Sequence, residues 1–144
     1  AKKIVTVTKG WSESYGLFLE GEADMVFSFT TSPAYHIIAE NDNTKSAAIF
    51  EEGHYLFIEA VAKTKKASNN LLADEFIAFV ISEDFQAKIP TSNWSYPASL
   101  ENRKLPTVFR DLPKPKKTLI LSEEEVSIIR DAAIQDWING LIED

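Results

Sequence analysis

The chain has 144 residues, 44% hydrophobic and 26% charged, the make-up of one soluble globular domain and too short for two ordinary ones. A formal charge of -7 and a pI near 4.9 argue against a nucleic-acid or anionic-membrane surface. The absence of cysteine excludes disulfides, thiolate metal sites and cysteine nucleophiles, and no apolar run is long enough to cross a bilayer as a helix.

Ala1–Lys2–Lys3–Ile4–Val5 is neither a signal peptide nor an initiating Met, and it reads as an interior position. Ile4–Thr8 is a β-branched stretch that predicts a strand ending at Gly10. Trp11 or Ser12 opens a helix carrying Tyr15, Leu17, Phe18 and Leu19, with Gly21 as its stop. Asp24–Phe29 predicts a second strand, mostly apolar and buried on both faces. Ser32 suits an N-cap and Pro33 the first helical position, giving a short helix to about Glu40. This strand–helix–strand–helix order predicts a parallel α/β sheet.

Ala47–Phe50 and Tyr55–Ala62 are strand-like. Asn69–Asn70 caps a helix from Leu71 to Ile81 with Leu72, Phe76, Phe79 and Val80 on its apolar side. Ser82 starts a shorter helix that Pro90 ends. Pro97 to Pro115 holds four of the six prolines and reads as irregular or extended chain. Ser122–Glu125 is a capping box opening the best helix, to about Ile142, with Val126, Ile129, Ala133, Trp137 and Leu141 as its inward stripe. Lys63, Lys65 and Lys66, and Lys114, Lys116 and Lys117, read as solvated loops.

Catalytic chemistry has little support. His36 and His54 are the only histidines, and neither lies in a metal-spaced or Ser/His pattern, so hydrogen-bonding or surface roles fit them. Glu123–Glu125 complements a helix dipole without needing a metal, and the scattered glycines form no phosphate cradle. Rings at loops and element ends are better placed to meet a ligand. Trp11 stands at a strand–helix junction, Tyr35 lies one turn into the Pro33 helix, and Trp94 sits in a loop. Thr30, Thr31 and Ser32 add hydroxyls beside that helix N-terminus, a seat for a phosphate or hydroxyl. A flat ligand, cationic ones included, suits such a set.

Val5–Glu13, Tyr15–Phe18, Thr30–His36, Glu52–Tyr55 and Ile89–Trp94 together resemble the periplasmic thiamine-binding proteins of bacterial ABC transporters. The likeness covers nearly the whole chain and weakens from Glu101 to Lys117. It implies an α/β, type II periplasmic solute-binding fold, here incomplete: the C-terminal portion, with second-lobe and hinge-crossing elements. Residues 1–53 would be second-lobe α/β, 54–93 a hinge strand and first-lobe helices, and 94–144 a return segment with the C-terminal helix. The ligand positions carried over are Trp11, Phe29, Thr30, Thr31, Ser32, Tyr35 and Trp94, with Phe29 standing where Tyr is expected. That departure removes a phenolic hydroxyl and keeps the ring.

The implied function is periplasmic capture of thiamine, or its phosphates, for a membrane permease of an ABC transporter, without catalysis, cofactor, metal or nucleic acid. Half a cleft loses enclosure, and exposed lobe faces would promote self-association of the fragment. A type II binder of ferric ion, a polyamine or another anion stays open, because a shared fold does not fix the ligand. An enzyme or regulator on the same fold is disfavoured by the lack of a nucleophile–base pair and of a DNA-reading segment.

Overall fold

The computed structural model describes residues 3–142; positions 1 and 2, on which the reading of the chain opening partly rests, lie outside them. In chain order the elements are α1 (Trp11–Leu19), α2 (Ser32–Ala39), β1 (His54–Tyr55), α3 (Asn70–Val80), α4 (Glu83–Gln86) and α5 (Ile89–Ser92). A 3-10 turn (Asn102–Lys104), α6 (Thr107–Asp111), β2 (Thr118–Leu119) and α7 (Glu123–Ile142) follow. They fall into two compact units, Ala1–Ser28 with Leu119–Asp144, and Phe29–Thr118.

In the first unit, α1 stops where its sequence says it should. Gly21 takes φ +80°, its N–H bonds the Phe18 carbonyl at 3.2 Å, and the Glu22 N–H bonds that of Leu17 at 2.9 Å. This is a Schellman end, which needs a left-handed residue. Nothing lies within 4 Å of a Cβ built on Gly21, so Gly21→Ala is expected to lose about 1 kcal/mol through backbone strain alone. Urea denaturation of the chain checks this; an unchanged midpoint would show that the turn bears no strain. The capping box of α7 is also present: the Glu125 N–H donates to Ser122 Oγ at 3.2 Å, and the Ser122 N–H to Glu125 Oε2 at 2.7 Å.

The expected burial of this unit is corrected. The stripe of α7 is not inward, for Val126, Ile129, Trp137 and Leu141 are all exposed, Trp137 by 57%. Met25 and Phe27 of the expected buried strand also face solvent, Phe27 by 95%. Neither Ile4–Thr8 nor Asp24–Phe29 pairs as a strand; among the described residues the one sheet is β1 with β2. Apolar pattern specifies which side chains seek cover, but a strand exists only with a hydrogen-bonded neighbour. Ala47–Phe50 and residues 56–62 likewise carry no strand pairing, although the His54 N–H bonds the Lys117 carbonyl at 3.1 Å.

The Phe29–Thr118 unit holds the described core. Ala34 of α2 meets Phe109 of α6 with Leu105 and Leu112, and Trp94, Leu100 and Val108 pack against them. Phe109 is fully buried, and Tyr96 lies edge-on to it at 5.7 Å while its hydroxyl donates to the Phe109 carbonyl at 3.0 Å. The proline-rich stretch read as irregular therefore supplies the 3-10 turn, α6 and most of the core. Pro106 sits just before α6, where a missing N–H is harmless, so proline there starts a helix rather than preventing one. Pro90 does the same in the first turn of α5, correcting its expected role as a terminator.

Asn69 caps α3 as expected, its side chain accepting from the Leu72 N–H at 3.0 Å. Ser82 caps α4, though α3 buries none of its residues. Buried Gln86 staples this region together. Its Nε2 donates to the Val80 carbonyl at 2.8 Å, and its Oε1 accepts from the Ala98 N–H at 2.7 Å. The staple sets the path of the chain just beyond Trp94.

Candidate functional site

Six of the seven candidate residues belong to the Phe29–Thr118 unit; Trp11 belongs to the other. Trp11 opens α1 half-exposed, with Nε1 donating to Ser28 Oγ at 3.1 Å and its ring 4.7 Å from that of Tyr15. Lys9 and Thr8 brace the helix start, the Lys9 N–H on Glu13 Oε2 at 3.0 Å and the Thr8 hydroxyl on the Gly10 carbonyl at 2.8 Å.

Tyr35 and Trp94 are brought together. Their rings meet edge to face at 5.1 Å and 82°, which leaves no slot between them and keeps outer faces for stacking. Trp94 rests on the Phe109 core and has φ +53°, a left-handed conformation that a bulky residue rarely takes. Its loop is held by Asn93, whose amide donates to Glu59 Oε2 at 2.7 Å, and by the Ser95 hydroxyl on the Asn93 carbonyl at 3.2 Å. A strained aromatic held from both sides and partly exposed is a recurrent mark of functional sites. Phe29 is also half-exposed, and its ring lies 5.3 Å from that of Phe57.

The hydroxyl row departs from expectation. Thr31 is buried, and it, not Ser32, occupies the N-cap position, without a side-chain cap bond. At the mouth of α2 the Ser32 N–H goes to the Phe29 carbonyl at 3.0 Å and the Ala34 N–H to the Thr31 carbonyl at 3.0 Å. Pro33 has no N–H to offer. The first-turn donors expected to seat a phosphate are thus largely committed to the chain itself, because the turn entering α2 uses them.

At the other end of α2, sequence reading missed a carboxylate. His36 is fully buried, and its Nδ1 lies 2.6 Å from Glu40 Oε2. The His36 hydrogen bond holds the Glu40 carboxyl below its ordinary range, while the nearby Glu40 charge pushes the Tyr35 phenol up. An ionised carboxylate can only accept, so Nδ1 of His36 carries the proton. The spacing of four between His36 and Glu40 on one helix face was the available signal. His54 has a structural role: its Nε2 accepts from the Phe50 N–H at 2.9 Å.

Beyond α2, Asn41 takes φ +54° and the Asp42 N–H returns to the His36 carbonyl at 2.9 Å. Asp42 accepts from the Lys45 ammonium at 2.6 Å and from the hydroxyl and N–H of Thr44 at 2.6 and 2.8 Å, which hold its carboxyl far below the usual range. Carboxyls depressed by folding contribute stability that is complete above the ordinary carboxylate range and lost as pH falls through the lowered values. The end of α2 is therefore expected to loosen below about pH 4, seen as a change in near-UV circular dichroism. Glu40→Gln should remove the part that belongs to the His36–Glu40 bond; an identical acid profile would refute that share.

No family model matches the chain. The thiamine-binding periplasmic protein of Escherichia coli K12 is 52% identical over 137 residues, covering 95% of this chain and 41% of that protein. Those of Salmonella typhimurium and Brucella melitensis are 50% and 47% identical over the same shares. A solved periplasmic thiamin binding protein superposes with a TM-score of 0.86 at 51% identity, over 94% of this chain and 42% of that one. Over nearly its whole length the chain is homologous to one portion of the periplasmic thiamine-binding proteins. It spans about two-fifths of the length of these relatives, 41% in sequence and 42% in structure. The fold is accordingly an incomplete type II periplasmic binding fold, and the names of its relatives describe binding proteins rather than enzymes. The expected parallel sheet is not paired among the described residues, yet the likeness of the fold holds over that span.

Proposed function

We propose that this chain is part of a periplasmic receptor that binds thiamine and delivers it to the permease of an ABC transporter. The observation that carries the reading is the Tyr35–Trp94 ring pair, found in a chain 52% identical to a thiamine-binding periplasmic protein. Thiamine offers a flat aminopyrimidine to stack and a permanently charged thiazolium to lie over an electron-rich ring, a contact worth about 0.5–2 kcal/mol. Phe29 and the hydroxyls of Thr30, Thr31 and Ser32 extend the proposed set within the Phe29–Thr118 unit, and Trp11 is a separate proposed ligand contact on the other unit. Nothing in this role asks for catalysis, a cofactor or a metal, because recognition is all that a delivery receptor performs.

The committed N–H groups at α2 and the ionised Glu40 beside Tyr35 favour the cationic part of the ligand over a phosphate as the portion this unit reads. Titration calorimetry of the 144-residue chain with thiamine, thiamine monophosphate and an uncharged pyrimidine analogue tests the proposal. Heat with thiamine, at an affinity that Trp94→Ala lowers, is expected. No heat with thiamine, or heat that Trp94→Ala leaves unchanged, overturns the reading for this chain.

A further inference from the structure

We propose that Phe57 and Glu59, two residues apart in the chain beyond β1, are positioning residues: Phe57 sets the ring of Phe29 and Glu59 sets the loop of Trp94, so that one segment places both proposed ligand contacts. The inference deepens the thiamine-type reading of this site and rests on it for the ligand.

Trp94 follows α5, a helix of only four residues, and its φ of +53° is one that a bulky residue keeps only when its surroundings impose it. Phe29 precedes α2 with its ring half-exposed. The chain beyond β1 touches both places. Asn93, next to Trp94, donates from Nδ2 to Glu59 Oε2 at 2.7 Å, and the ring of Phe57 lies 5.3 Å from that of Phe29 at 51°. Positions two apart share a side wherever a chain runs extended, so one side of the segment can serve both contacts. The segment is itself rooted. The His54 N–H bonds the Lys117 carbonyl at 3.1 Å, and His54 Nε2 accepts from the Phe50 N–H at 2.9 Å.

Exposure argues that these contacts serve placement more than stability. Phe57 is 65% exposed and Phe29 50%, so their meeting buries little apolar surface, and the Asn93–Glu59 bond also lies exposed. Asn93 is tied through its backbone to α5, its N–H on the Ile89 carbonyl at 2.9 Å, and through its side chain to Glu59. Held from both sides, it delivers Trp94 to its edge-to-face meeting with Tyr35 at 5.1 Å.

The test uses exposed positions of the full 144-residue chain whose substitution leaves the Phe109 core intact. In the ligand-free chain, nuclear Overhauser contacts between the Tyr35 and Trp94 rings should weaken in Glu59→Ala and persist in Glu59→Gln, which keeps an acceptor oxygen for Asn93. Asn93→Ala should weaken them as Glu59→Ala does, and the double variant should add nothing further. Phe57→Ala should broaden the ring signals of Phe29. With ligand, Glu59→Ala and Phe57→Ala should each weaken thiamine binding by about twofold to fivefold, and Glu59→Gln should restore most of the loss. Glutamine behaving like alanine would show that Glu59 acts through its charge rather than through Asn93, and would overturn the proposal. So would additive effects of Glu59→Ala and Asn93→Ala, or ring contacts and Phe29 signals that no variant changes. A parent chain that fails to bind thiamine would refute the ligand reading instead, and the ligand-free ring contacts would then decide the roles of Phe57 and Glu59 by themselves.

Discussion

Replacing Phe109 by Ala should destabilise the Phe29–Thr118 unit by about 3–5 kcal/mol. Phe109 is fully buried at the meeting of α2 and α6, so truncation removes its transfer free energy and leaves a cavity lined by Ala34, Leu105 and Leu112. Its neighbours close this space poorly. Tyr96 is tied to the Phe109 backbone carbonyl rather than to the ring, and it stays where it is when the ring is gone. Trp94 packs on the same cluster, so the variant should also blur the Tyr35–Trp94 pair before the unit unfolds. Urea denaturation followed by Trp94 fluorescence, with Trp11 and Trp137 replaced by Phe, reads both effects. Phe79→Ala on exposed α3 is the control and should fall well below that loss. A Phe109→Ala change under about 1 kcal/mol would mean that the core of this unit lies elsewhere.

Trp94→Ala should lower thiamine affinity by about twofold to thirtyfold, the range of one cation–π contact, while Trp94→Gly should match it in binding but not in stability. Alanine loses the ring and keeps the strain of φ +53°. Glycine loses the ring and relieves the strain, so it should be the more stable of the two by about 1 kcal/mol. Calorimetric titration with thiamine and urea denaturation of both variants separate the two quantities. Equal stability would show that the loop relaxes when the indole is removed, and that the Asn93–Glu59 tether does not hold it. A ring kept on a strained backbone for its position, and not for the stability of the loop, gives the glycine variant its diagnostic value.

Legibility followed the range of the interactions. Gly21 as a helix stop, Asn69 and Ser82 as caps, and the capping box of Ser122 were readable because each is closed by residues a few positions away. The N-cap of α2 was misplaced by one residue because Thr31 and Ser32 have the same chemistry, and only the turn through Phe29 decides between them. Asp24–Phe29 and the stripe of α7 misled for a different reason. Their patterns describe faces that require cover, and pattern is silent on whether cover is supplied.

The amino-acid sequence by itself carried the likeness to thiamine-binding proteins, most of the helix starts and stops, the scarcity of catalytic groups and the identities of the candidate rings. These follow from local chemistry and from strings of residues that can be matched one by one. The tertiary structure decided that Tyr35 meets Trp94, that Phe109 lies at the centre of a core drawn from the proline-rich stretch, and that Glu40 is bonded to a buried His36. It also decided that Thr31 is turned inward and that the first donors of α2 are already engaged. The physical reason is separation along the chain: helix caps are settled within one turn, whereas a ring pair and a core form only when distant segments have closed on each other.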